Sequence, residues 1–203
     1  MKIKKYKKSE RGFALVLALL LLVVMSLMGA TLVMIASSDH KQNNLLDSNQ
    51  QAFYAAETGI AIAKKWIVET SSSKTLSPGG SPAITFCKTN FFPNLNQGSI
   101  KAINDYVDRK TLNTVISGAS SDEQKRLGKY QYEFFITHTP DANGNTSTLK
   151  TKTVTGSVGS SVATGTSYKT GGTSQASYYT IFSCGKGESN TIVPLEAVVT
   201  LVQ

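Results

Sequence analysis

From Phe13 to Ala36 the chain runs for 24 residues without a charge. As an α-helix, rising about 1.5 Å per residue, such a run covers about 36 Å, more than the roughly 30 Å hydrocarbon core of a bilayer. Nothing else in the sequence restricts the fold so severely, because a helix that is apolar on every side belongs in lipid or among other apolar helices. An ordinary secretory signal has a shorter apolar region, about 7–15 residues, followed by a small-x-small cleavage site. The length here favours a lasting anchor, although Gly29 and Ala30 do place small residues within the run.

Basic residues crowd in front of this segment: Lys2, Lys4, Lys5, Lys7, Lys8 and Arg11 stand against Glu10 alone. The positive-inside rule then places the N-terminus in the cytoplasm and everything beyond the helix outside it. Of the formal net charge of +8, what remains beyond residue 12 is small and scattered. It makes no basic stripe, and no nucleic-acid binding is expected. The length of 203 residues suits one domain of ordinary size plus the anchor.

The apolar run meets no helix breaker. Residues 37–51 are polar but hold neither Pro nor Gly, and no proline occurs before Pro78. In QAFYAAETGIAIAKKWIVE, residues 51–69, apolar side chains return at steps of three or four, the spacing of an amphipathic helix. One continuous helix from about Phe13 to Glu69 is therefore expected, apolar all round in its first half and one-sided in its second. Four segments follow: a basic leader over 1–12, a membrane helix over 13–36, its amphipathic continuation over 37–69, and an exported globular domain over 70–203. The contact face of the continuation is expected at Phe53, Ala56, Ile60, Ala63, Trp66 and Ile67.

The domain opens with a Pro, Gly and Ser-rich loop, residues 71–82. A short helix is expected over Gln97–Leu112, with Ile100, Ile103 and Val107 on one side. YQYEFFITHT, residues 130–139, is aromatic and β-branched and predicts a strand. Residues 176–202 predict two strands joined by a Gly-Lys-Gly-Glu turn, with Pro194 marking an edge or a bulge. Between these, 21 of the 32 residues in 146–177 are Thr, Ser or Gly. Such a stretch has little to bury, so it reads as a mobile excursion or a weak Thr-rich hairpin. The fold class is thus α+β, a long N-terminal helix on an antiparallel sheet.

Cys87 and Cys184 both fall in the exported part, where a disulfide forms and persists. They make a natural pair, with two buried thiols as the alternative. His40 and His138 are isolated, which leaves no metal-ligand spacing. There is no nucleophile elbow, no phosphate-binding glycine loop and no convergent reactive set; neither catalysis nor a cofactor is expected. Asp141, Asn143 and Asn145 alternate as calcium ligands do, yet the glycine comes too early for an EF-type loop and no distal Glu follows. An Asn-Gly turn accounts for these residues better.

A basic leader ending in Gly12, then Phe13, then an unbroken apolar helix resembles a type IV prepilin signal. AFYAAETGI, residues 52–60, is similar to the stretch after the membrane helix in PilX-type minor pilins, so the likeness covers roughly residues 9–67. The resemblance implies cleavage between Gly12 and Phe13 by a prepilin peptidase, N-methylation of Phe13, and a pilin-like fold. The chemistry of the junction agrees: glycine lets extended backbone enter a narrow protease slot, and each basic residue holds the leader to anionic lipid by about 1 kcal/mol.

The fifth position counted from Phe13 is Leu17, where most pilins carry Glu. In the family that carboxylate neutralises a neighbour's N-terminal amine inside an apolar bundle, and a subunit without it is suited to the filament tip. The implied partners are other minor pilins, the major pilin, the inner-membrane assembly machinery and the bilayer. The implied location is the bacterial inner membrane before assembly and the pilus tip afterwards. A minor pseudopilin of a type II secretion system would share this physics. From another class, a membrane-anchored periplasmic binding or adhesive protein outside any filament would keep its N-terminus uncut.

Overall fold

The computed structural model describes residues 11–71, 76–155, 173–188 and 190–202. Its longest element, α1 (Arg11–Ser71), is a single α-helix of 61 residues, as the missing prolines predict. The chain divides into two units, Met1–Leu46 and Asp47–Gln203, and the two parts of α1 are described separately.

In the first unit α1 carries its apolar side chains in the open, and none of its most apolar window is buried. It is long and apolar enough to cross a membrane. The hydroxyls inside the run serve their own helix: Ser26 Oγ donates to the Leu22 carbonyl at 2.8 Å and Thr31 Oγ1 to that of Met28 at 2.8 Å. Polar groups satisfied in this way are tolerated in hydrocarbon.

In the second unit, residues 47–71 of α1 lie on a five-stranded antiparallel sheet. Its strands are β1 (Val107–Thr111), β2 (Gln131–His138), β3 (Lys150–Thr155), β4 (Thr173–Lys186) and β5 (Ile192–Val202). Two short helices, α2 (Leu112–Val115) and α3 (Ser121–Leu127), join β1 to β2. β4 is the axis of the sheet. Along one edge it pairs with β5 from Ala176 to Lys186; along the other, β2 pairs with Tyr179–Lys186 and β3 continues the same line with Thr173–Tyr178. β2 and β3 thus form one interrupted strand, and residues 139–149 loop out between them.

Both faces of the sheet are covered. On the α1 side, Ala55, Ala63 and Ile67 meet Tyr132, Phe134 and Ile136 of β2 and Ile181 of β4. On the other, Phe135 and Phe182 pack with Phe86, Phe92, Leu95 and Ile100 from the segment before β1. This is why QYEFFITH does not alternate apolar with polar: seven of its eight residues are buried, on alternating faces.

Helix and strand come unusually close. Ser183 Oγ donates to the Ala56 carbonyl at 2.8 Å, and a Cβ added at Gly185 would fall onto the Ala52 carbonyl oxygen. Only small side chains fit at such a distance. Ala52, Ala55 and Ala56 are fully buried for that reason, whereas Phe53, expected in this face, points about 100° away and is exposed.

Residues 97–111 form no helix, and of the expected span only Leu112 is helical, as the first residue of α2. Gln97–Tyr106 are irregular, and Val107–Thr111 are the edge strand β1, in register with Gln131–Phe135 of β2. The segment's backbone groups are claimed from outside: the Ile103 amide donates to the Ile136 carbonyl at 2.7 Å and the Asn104 amide to Ser77 at 2.8 Å. Asn104 and Asp105 take φ of 47° and 56°, which no α-helix accommodates. The expected β4–β5 hairpin is present, with Pro194 on the strand that has no second neighbour among the described strands. The ends of the Thr-rich stretch are paired as β3 and the start of β4; residues 156–172 lie outside the described residues.

Candidate functional site

The leader residues 1–10 lie outside the described residues, so the cleavage junction is described only from its helical side. Gly12 lies within α1, and the Phe13 side chain is 73 % exposed. Leu17 is 51 % exposed on the same side of the helix as Phe13, Leu21 and Met25, with no acidic side chain between Glu10 and Asp39. This surface offers dispersion contacts and area to hide from water, at about 25 cal/mol per Å², and the one hydroxyl that lines it, on Ser26, is committed to the Leu22 carbonyl.

Of the face expected on the second half of α1, Ala56, Ala63 and Ile67 are fully buried and Ile60 and Trp66 partly so. The Trp66 indole stacks on Tyr106, with ring centroids 4.1 Å apart. Phe53 instead meets Tyr54 edge to face at 6.1 Å, outside the core.

Cys87 and Cys184 are joined by a disulfide, and both residues are fully buried. A residue that sequence reasoning missed holds that bond in place. Glu133, on β2, is 1 % exposed, and its carboxylate accepts the backbone amides of Thr85 at 2.8 Å and of Phe86 and Cys87 at 2.7 Å each. Charge-assisted bonds of this number offset the cost of burying the anion. Opposite Glu133 on β4 stands Cys184 itself, so the carboxylate draws the loop carrying Cys87 down onto its partner. The only trace in the sequence is an acid in the middle of an aromatic, β-branched strand.

Asp141, Asn143 and Asn145 are brought together as a turn. Asp141 Oδ1 accepts the amides of Asn143 at 2.8 Å and Asn145 at 2.9 Å, while its Oδ2 accepts from the Asn145 side chain at 3.3 Å. The Asn145 amide, above all, holds the Asp141 carboxyl below its usual range. The carboxylate oxygens are committed to the chain's own donors, and Gly144, at φ 77°, closes the turn. Among the described residues no group of three or more His, Cys, Asp or Glu is placed to hold a metal ion.

Around Tyr132 the sheet has a polar margin. Its hydroxyl donates to Asp108 Oδ2 at 3.3 Å, and burial, followed by the Asp108 charge, pushes its titration up. Such a tyrosine stays protonated and serves the structure as a donor.

The described residues thus contain a bare apolar helix surface and a domain braced by one disulfide. No family model, curated protein sequence or solved structure matches this chain.

Proposed function

We propose that this protein is a minor pilin of the PilX type, a structural subunit that primes assembly of a type IV pilus and sits at its tip. The observation that carries the reading is the surface of residues 13–36, where large apolar side chains stay exposed among the described residues. Lipid covers such a surface before assembly, and a bundle of similar helices covers it afterwards.

The chemistry follows from the residues. Cutting after Gly12 removes the basic leader that holds the helix end at the cytoplasmic face, so the helix is free to leave lipid as other apolar helices replace it. Ser26 and Gly29 allow close approach of a neighbour; a Cβ at Gly29 would meet nothing within 4 Å of its own chain. Leu17 supplies no carboxylate for a neighbour's N-terminal amine, and a charge left unpaired in an apolar bundle is costly. A subunit without that pairing fits best where one neighbour is missing, at the end of the filament. The domain is then the exposed terminus, stiffened by Cys87–Cys184, and its role is structural.

The mass of the N-terminal peptide of the protein purified from its own cells tests the proposal. A peptide beginning at methylated Phe13 supports it. One that retains Lys8-Ser9-Glu10-Arg11-Gly12 overturns it in favour of a permanent anchor carrying a binding domain.

A further inference from the structure

His138 closes β2 with 3 % of its surface exposed, and neither of its ring nitrogens makes a well-aligned hydrogen bond, although the backbone of Leu76, Thr146 and Ser147 lies near the ring. The ring lies 5.8 Å from that of Tyr179, its register partner on β4. A buried imidazole whose polar neighbours are backbone groups out of hydrogen-bond alignment favours its neutral form, because the cation carries two donors and a charge into a site shielded from water. Burial holds its titration below the ordinary range, and the backbone of Leu76, Ser147 and Thr146 offsets this only in part.

Among the described residues no charged side chain acts on the ring. β2 supplies Ile136 and Phe134 on the same face of the strand, and α1 contributes Ile67 to that core. β4 supplies Tyr179, whose own proton is held on by burial, and β5 sets Val199 opposite it. The segment after α1 brings Leu76. Asp141 and Lys150, the charged residues that flank the neighbouring loop, are engaged elsewhere: Asp141 with the amides of its own turn, Lys150 with the Pro140 carbonyl.

His138 is also the residue at which the chain leaves the β4 edge that β3 regains at Lys150. The loop between is tied down by a few bonds. The Gly144 carbonyl accepts the Asn96 amide at 3.0 Å, Asn145 Oδ1 accepts from Ser99 Oγ at 2.6 Å, and Thr146 Oγ1 accepts the Lys101 amide at 3.0 Å. Compared with the ladder of β2 on β4, this is the weaker attachment and the part that yields first.

We infer that His138 is an acid-sensitive latch: its neutral ring is packed closed beneath the 139–149 loop and Leu76, and its protonation releases them from the end of the sheet. Histidine in the open form takes up a proton near its ordinary value of about 6.5, and in the closed form only at lower pH. The closed form is therefore fully favoured above about pH 6.5. It loses ground as pH falls, with the opening constant rising by up to about tenfold per pH unit until the closed form itself is protonated.

Amide hydrogen exchange on the full chain in detergent micelles at pH 7.5, 6.0 and 5.0, corrected for intrinsic rates, tests the latch. Amides of residues 141–149 should lose protection by up to about tenfold per unit below pH 6.5, while those of Ile181 and Phe182 keep theirs, and His138→Phe should abolish the difference. Loop protection independent of pH in the wild type overturns the inference, as does pH dependence that survives in His138→Phe. Should that variant fail to fold, the wild-type His138 ring signal decides by NMR. Titration of the ring in step with loop opening supports the latch, and titration at an ordinary value with the loop still protected refutes it.

Discussion

Residues 13–36 and 52–67 belong to the same helix and meet opposite demands. In the first stretch the side chains are large and apolar on every side, and Leu20 and Met25 stay 64 % and 65 % exposed. In the second the residues facing β2 and β4 are mostly small, Ala52, Ala55, Ala56, Gly59 and Ala63 before the larger Ile67, and the approach is so close that a Cβ at Gly59 would strike the Ser183 hydroxyl. Bulk without shape suits a surface whose surroundings are exchangeable, since lipid tails and neighbouring helices reward the same apolar area. Small residues in register with one particular strand specify a single docking, because dispersion and packing fall away steeply with a misfit.

Substitutions can separate the two regimes. The largest effect is expected from Cys87→Ser combined with Cys184→Ser, which opens a closure of 97 residues. In the chain-entropy model this costs up to about 4–5 kcal/mol. The fluorescence of Trp66, the one tryptophan of the chain, reads this as a lowered denaturation midpoint. A wild type whose midpoint ignores reductant would show that the bond contributes little.

Leu21→Lys should cost about 3 kcal/mol in membrane insertion, measured as the fraction of chain integrated into vesicles. The Trp66 denaturation midpoint should stay where it was. A shift in that midpoint would mean that the apolar stretch supports the domain, which erases the contrast drawn above.

Glu133→Gln keeps the shape of the side chain but weakens three charge-assisted bonds. The domain should lose about 2 kcal/mol, and the disulfide should form more slowly from the reduced protein. A variant as stable as the wild type would show that the 85–87 loop holds its place without the anion. Phe53→Ala should be the mildest, below about 0.5 kcal/mol, as expected of a surface position. A loss of 3 kcal/mol there, the usual scale for truncating a core aromatic, would return Phe53 to the packing face.

Much of the architecture was legible in single stretches of sequence. The uncharged run and the absence of proline predict the helix, the period of three to four assigns one face to its second half, and the aromatic, β-branched stretch 130–139 predicts β2. Each of these signals is local: a few neighbouring side chains set the backbone preference, and burial follows the period. The contact face was legible in direction but not in fit, so Phe53 was placed inside while the alanines beside it took the core.

Other features were decided only by the tertiary structure. Ile100, Ile103 and Val107 were legible as sharing one side; the fold buried the first two and made the partly buried Val107 part of a strand, because β2 offers a free edge and the carbonyls of Ser77 and Ile136 take the backbone amides just before it. The sequence determined that Glu133 and His138 sit in an apolar strand, but not that three amides would offset the burial of one while the ring of the other would make no well-aligned hydrogen bond. Periodicity is carried by neighbours in the chain, whereas the satisfaction of a buried polar group depends on residues tens of positions away, brought close only when the sheet is complete.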